Sequence, residues 1–208
     1  MSRKINYYFT LVSPWAYIGD ALFKSIVRKH GVAVDYRPVN LGRLFPNSGG
    51  LPLGQRHPLR QQYRLVELQR WREKRGLSFA IKPNNWPFDP SLGDRCALAL
   101  VQAGFDPAGF ISAAFRCVFE QERGLADRAV IADVLKACGA DAEKILAAAE
   151  SDSVKAAYDG NYDRALADGA FGSPSYVLDG EVFWGQDRLE LLDDALASGR
   201  KAFTPAGA

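Results

Sequence analysis

From about Asn40 to about Asp168 the chain carries no strand signal, whereas the text on either side of this stretch is short, alternating and apolar. Such a chain must build its sheet from residues far apart in sequence, with a helical body inserted between them. On the N-terminal side Ile5, Tyr7, Phe9 and Leu11 alternate, Leu22, Phe23, Ile26 and Val27 recur at helical spacing, and Val32, Val34 and Tyr36 alternate again. That order predicts a βαβ unit. On the C-terminal side Tyr176-Val177-Leu178 and Val182-Phe183-Trp184 flank Asp179-Gly180, a tight-hairpin dipeptide, and Leu189, Leu192, Ala195 and Leu196 mark a final amphipathic helix. The middle is rich in Ala, Leu, Arg and Glu, with loop punctuation at Pro46-Asn47-Ser48-Gly49-Gly50, Lys82-Pro83-Asn84-Asn85-Trp86-Pro87 and Phe105-Asp106-Pro107. The expected fold is therefore α/β: a sheet domain drawn from residues 1–39 and 169–208, split by an all-helical insertion over residues 40–168.

A length of 208 residues with 48% hydrophobic content is enough to bury one sizeable core. The formal net charge of +2 is too balanced to imply a nucleic-acid partner. Met1-Ser2-Arg3-Lys4 runs directly into a strand without an apolar leader, and no apolar run reaches membrane-spanning length, so a cytoplasmic protein with no membrane partner is expected. Cys96, Cys117 and Cys138 are dispersed through helical text and form no Cys-x-x-Cys pair, which suits core filling better than disulfide chemistry. With His30 and His57 as the only histidines, no metal-ligand cluster can be assembled by spacing. His30, beside Gly31, suits the last turn of the first helix, and the tail Thr204-Pro205-Ala206-Gly207-Ala208 reads as frayed.

Ser13-Pro14-Trp15-Ala16 stands where the first strand hands over to the first helix. Ser is a favoured N-cap and Pro a favoured first helical residue, so these two residues by themselves need do no more than start a helix. The same place also favours an anion, because the first N–H groups of a helix lack internal partners and lie at the positive end of its dipole.

A βαβ start and a ββα finish around a helical insertion have the order of a split thioredoxin-type fold. Three motifs add a resemblance: Ser13-Pro14-Trp15-Ala16-Tyr17, Phe171-Gly172-Ser173-Pro174, and Phe183-Trp184-Gly185-Gln186-Asp187-Arg188-Leu189 after the hairpin. Together with Leu68-Gln69-Arg70-Trp71 in the middle, they resemble the 2-hydroxychromene-2-carboxylate isomerase family, which is grouped with the kappa-class glutathione transferases. The Trp-Gly-Gln-Asp-Arg run is the most specific of these. Bacterial disulfide oxidoreductases share the fold, and their Cys-x-x-Cys falls here on Ser13 and Ala16. A serine hydroxyl cannot carry out thiol–disulfide exchange, so the thiol must come from outside.

The resemblance implies that this thiol belongs to glutathione, whose sulfur is only a few per cent ionised at neutral pH, like a free cysteine. Ser13 is then the catalytic residue, a donor that stabilises the thiolate beside the helix start. Lowering a thiol pKa by two units takes about 2.7 kcal/mol of preferential interaction with the anion, within reach of one charge-assisted hydrogen bond plus a helix terminus. The backbone of Ser173, before a cis Pro174, is expected to pair with the cysteinyl unit of glutathione, with Gly172 keeping that edge open. Trp184, Gly185, Gln186 and Asp187 are expected to hold the γ-glutamyl end, while Arg188 is expected in solvent or in a surface ion pair.

An aromatic carboxylate substrate would enter between the two parts of the chain, with Arg56 and Trp86 as its best anchors and Gln55 and Asn85 behind them. Most of the other basic residues between Arg56 and Arg75 are expected to form a solvated helix face. Many relatives carry a lysine and an asparagine where this chain has Pro46 and Gly50, a departure that bears on the choice of substrate. The implied reaction adds the thiolate to a cis enone, rotates the resulting single bond, and eliminates to the trans product, leaving glutathione unchanged. A kappa-like transferase or peroxidase and a non-catalytic glutathione- or peptide-binding module are the alternatives, and a homodimer is the assembly the resemblance implies.

Overall fold

The computed structural model describes residues 3–205, so Met1, Ser2 and the tail Ala206-Gly207-Ala208 lie outside the described residues. Strand β1 (Lys4–Phe9) is followed by helix α1 (Pro14–His30) and strand β2 (Ala33–Pro38), the βαβ unit read from the alternation. Strands β3 (Ser175–Leu178) and β4 (Glu181–Trp184) form the hairpin around Asp179-Gly180, and helix α9 (Leu189–Ser198) closes the chain. Between these groups lie seven helices: α2 (Leu41–Ser48), α3 (Pro58–Lys74), α4 (Ser91–Gln102), α5 (Ala108–Phe119), α6 (Arg128–Ala137), α7 (Ala142–Ala149) and α8 (Asp152–Ala167).

The sheet order is β2-β1-β3-β4, with β1 parallel to β2 and antiparallel to β3, and β3 antiparallel to β4. β1 therefore sits centrally, and its partner β3 comes from the far end of the sequence. Because side chains alternate across a strand, the two faces of the sheet sort cleanly. Ile5, Tyr7, Phe9, Tyr176 and Leu178 pack with Phe23 of α1 and with Leu189 and Leu192 of α9, while Tyr8 and Val177 pack with Leu44 of α2 and Ala165 of α8. On the first face Tyr7 stacks on Tyr176 with ring centroids 5.0 Å apart.

The helical insertion has no separate core. The cluster containing Ile5 and Phe9 continues without a break through Cys96, Leu100, Phe115, Ile131 and Leu146. Tyr17 of α1 stacks on Phe119 of α5 at 5.0 Å and meets Phe79 edge-on. Cys96 and Cys117 fill this core as expected, but Cys138 is exposed at the C-terminus of α6. Its position one residue past the helix places it beyond the apolar stripe formed by Ile131, Val134 and Leu135. His30 does end α1, where its Nε2 lies 2.6 Å from Asp193 Oδ1.

Candidate active site

Ser13 caps α1 in an extended conformation: its Oγ accepts the Ala16 N–H at 3.2 Å, and its carbonyl accepts the Tyr17 N–H at 3.2 Å. Pro14 has no N–H to offer, and Trp15, the second helical residue, is too early to bond within the helix. The helix start therefore presents one uncommitted backbone donor, the Trp15 N–H, beside the hydroxyl that caps it. Ser13 is only 5% exposed, so an anion placed here would be largely shielded from water.

The Ser13 hydroxyl donates to the carbonyl oxygen of Ser173 at 3.1 Å, and the Ser173 hydroxyl accepts the Thr10 N–H at 3.1 Å. The Ser173–Pro174 peptide bond is cis, as the resemblance implied, and so is Trp86–Pro87, which no sequence signal marked. The Pro174 carbonyl in turn accepts the Gly185 N–H at 2.9 Å. Ser13, Ser173, Trp184 and Gly185 thus lie along one continuous strip, joined by backbone bonds and by the pairing of Ser175 with Trp184. Gly172 allows the close approach: a Cβ there would lie 2.5 Å from the Trp184 indole nitrogen. Trp184 is 52% exposed and its ring rests at 4.7 Å against Phe171. Gly185 has φ of +99°, a region that suits glycine, and this turns the chain toward Asp187.

Asp187 is exposed and accepts from Arg188 at 2.6 Å, so Arg188 is in the surface ion pair expected of it. Gln186 has a different position from its neighbours. It is buried, and its Oε1 accepts from Arg75 Nε at 3.2 Å and Nη2 at 3.1 Å, while Arg75 Nη1 reaches Glu190 at 2.8 Å. This side chain docks the end of α3 onto the start of the last helix and leaves its neighbours to face the strip.

On the side of the helical insertion, the Trp86 indole N–H donates to the Val12 carbonyl at 2.8 Å, which brings the ring to the turn that leads into Ser13. Asn85 points away: its amide donates to the Glu122 carbonyl at 2.8 Å. Arg56 donates from Nε to the Leu51 carbonyl at 2.8 Å and holds its guanidinium over the Phe45 ring. Gln55 is exposed in a short 3-10 turn over Leu53–Gln55. A cavity of about 630 Å³ opens beside Trp86, lined also by Asn84, Pro87, Phe88, Glu122 and Val130.

Two further groups, one buried and one half-buried, carry no motif in the sequence. Asp94 in the first turn of α4 is fully buried; its Oδ1 accepts the Leu11 N–H at 2.9 Å and its Oδ2 the Tyr158 hydroxyl at 3.3 Å. Burial pushes its pKa up to about 7, against the lowering effect of those hydrogen bonds. Arg64 lies with its guanidinium over the Trp86 ring at 4.7 Å from the centroid. It and Arg75 are exceptions within a basic stretch expected to be mostly solvated. The signal was available in the spacing, since Arg64, Leu68, Trp71 and Arg75 follow one another at steps of four, three and four and so share the inward face of α3.

Among the described residues, no three His, Cys, Asp or Glu side chains gather as metal ligands, and no helix is long and apolar enough to cross a membrane. A family model described as a DSBA-like thioredoxin domain matches residues 4–197. The chain is 25% identical over 198 residues to the 2-hydroxychromene-2-carboxylate isomerase of Sphingobium xenophagum, which spans 94% of this chain and 99% of that protein. It superposes on a solved 2-hydroxychromene-2-carboxylate isomerase with a TM-score of 0.80 at 23% identity, covering 94% of this chain and 95% of the other. A probable DsbA oxidoreductase from Streptomyces coelicolor superposes with a TM-score of 0.74 at 19% identity, covering 99% and 94%.

Proposed function

The chain belongs to the DSBA-like thioredoxin domain family, and from that premise we propose that it is a glutathione-dependent cis-trans isomerase converting 2-hydroxychromene-2-carboxylate to trans-o-hydroxybenzylidenepyruvate. The observation that carries this reading is a serine hydroxyl, in place of a cysteine thiol, at the helix start against the cis-proline strand. The three thiols of the chain stand elsewhere in helical text, and burial pushes that of Cys96 up to about 12. A site built to hold a sulfur anion, yet without one of its own, suits an external thiol. The near full-length similarity to proteins named for this isomerisation supports the choice of reaction.

The residues fit glutathione on two counts. The missing side chain at Gly172 lets the Trp184 indole close against the cis-proline strand as a wall of the strip, and the Trp15 N–H is a donor still without a partner at the helix start. When bound, glutathione supplies a thiolate that adds reversibly to the conjugated double bond of the substrate, so that rotation becomes possible. The Ser13 hydroxyl is free to turn about its Cβ–Oγ bond, leaving the Ser173 carbonyl and donating to the sulfur while still accepting from Ala16. The carbonyl thus released, which has two lone pairs, accepts the N–H of an extended peptide along the strand edge. Asp187 would exchange its Arg188 partner for an ammonium group at the exposed end of the strip, with the Trp184 ring as its apolar wall.

The substrate ring would lie against Trp86, with Arg56 and Gln55 toward its acid end and Asn85 fixing the loop through Glu122. For catalysis the positive charge must favour the transition state over both isomers, which an arginine near the developing negative charge does. The test is to follow 2-hydroxychromene-2-carboxylate by absorbance with and without glutathione while titrating free thiol. Isomerisation that needs glutathione and leaves the thiol count unchanged supports the proposal; steady loss of thiol would replace it with a transferase, and glutathione binding without turnover would replace it with a binding module.

A further inference from the structure

The inward arginines of this protein are matched to acceptors. Arg37 reaches Asp35 and Asp168, Arg72 the Phe79 carbonyl, Arg75 Gln186 and Glu190, and Arg95 the Ala149 carbonyl. Arg64 differs, having neither a hydrogen-bond acceptor nor a carboxylate partner among the described residues. Its neighbours make this worse: burial and the charge of Arg56 push the Arg64 pKa down to about 10, and burial and Arg60 lower that of Arg56. A half-buried guanidinium flanked by like charge is held at a cost, and a bound anion would remove that cost.

The guanidinium is also held ready. Its Cζ lies over the Trp86 ring, 4.7 Å from the centroid and within cation–π range, and Trp86 is tied by its indole N–H to Val12, one residue before Ser13. Arg64 is thereby fixed near the candidate site from a helix that also carries the Arg75 dock at its other end. A guanidinium already held over a ring loses little further freedom on binding a carboxylate, and its planar fork matches the two oxygens.

We propose that Arg64, stacked on Trp86, anchors the carboxylate of a ligand bound beside Ser13. This rests on the reading of that strip as a small-molecule site, and it assigns the anchor to a residue nearly two turns inside α3 rather than to Arg56 in the preceding loop. The carboxylate belongs either to an aromatic acid acted upon or to the glycine end of glutathione; the same fork serves both.

The experiment is equilibrium binding without turnover, so that a failed isomerisation assay leaves it interpretable. The full chain, R64M, R64K and R70M are titrated with trans-2-hydroxycinnamate, with its amide, and with glutathione. Arg70 is an exposed partner of Glu67 on the same helix, so R70M removes one positive charge without touching the stack. R64M should weaken the aromatic acid by about tenfold or more and leave the amide unchanged, with R64K recovering only part of the loss. A like loss confined to glutathione would sustain the anchor and name the tripeptide as its source. Equal affinities of R64M and the native chain for both acids, or the same loss in R70M, would overturn the proposal.

Discussion

The hydroxyl of Ser13 and the carbonyl of Ser173 are joined by a 3.1 Å hydrogen bond across 160 residues of sequence. The bond closes the helix start over the cis-proline strand, and it is the contact that an incoming sulfur and an incoming peptide N–H would share out between them.

Replacing that hydroxyl should separate cap from catalyst. Ser13→Ala removes the donor to sulfur, so the thiol of bound glutathione should rise by about one unit and the rate at neutral pH fall by about tenfold. The loss should shrink as pH is raised, because the thiolate then forms without help. The lost cap should also lower stability by about 1 kcal/mol. A pH–rate profile with the same lower limb as the native enzyme would contradict the assignment.

Asp94 sets an expected pH dependence of stability. Its pKa is raised in the folded state, to about 7, so the folded protein binds this proton more tightly than the unfolded chain does. The stability tied to it is complete below about pH 4 and is lost as pH rises through about 7, a change on the order of 3–4 kcal/mol. Asp94→Asn keeps an oxygen for the Leu11 N–H and removes the titration, so denaturant midpoints measured from pH 4 to 8 should be flatter for the variant than for the native chain.

Gly172→Ala brings a Cβ to 2.5 Å from the Trp184 indole nitrogen, a distance that real contacts do not tolerate. The indole must shift away from the cis-proline strand, and the wall it forms along the strip is displaced. Calorimetric titration should show glutathione affinity reduced by at least about tenfold, with the far-ultraviolet circular dichroism of the fold retained.

Arg75→Ala should act on stability. The side chain is 15% exposed and binds both Gln186 and Glu190, so its removal leaves the buried Gln186 oxygen without a donor. A loss of about 1–3 kcal/mol in urea unfolding is expected. Gln186→Leu, which removes the polar oxygen along with its donor's partner, should make a subsequent Arg75→Ala substitution cheaper than it is in the native chain.

Much of the frame was readable because apolar periodicity reports burial directly. The alternation around Ile5, Tyr7 and Phe9 placed the central strand, Asp179-Gly180 placed the hairpin, and Ser13-Pro14 placed a helix start that really is capped by Ser13. Residues whose role depends on which neighbour arrives in space were less accessible. Gln186 sits within a motif of site residues, yet Arg75 from the other part of the chain claims it. Asn85 looked available and is taken by the Glu122 carbonyl, and Asp94 stood in helical text without any mark of the Leu11 N–H that meets it. The polar majority of α3 hid Arg64, although the spacing to Leu68 and Trp71 already placed it on the inward side.

The pairing of β1 with β3 also fixes when the site comes into existence. A ribosome delivers Ser13 some 160 residues, roughly ten seconds or more of synthesis, before its partner strand and the Trp184–Asp187 turn. Throughout that interval the growing chain holds a central strand with one side unpaired. The strip is therefore assembled only once the hairpin has been made, and truncation anywhere before the hairpin should yield a helical fragment with an open sheet edge and no Ser13–Ser173 hydrogen bond.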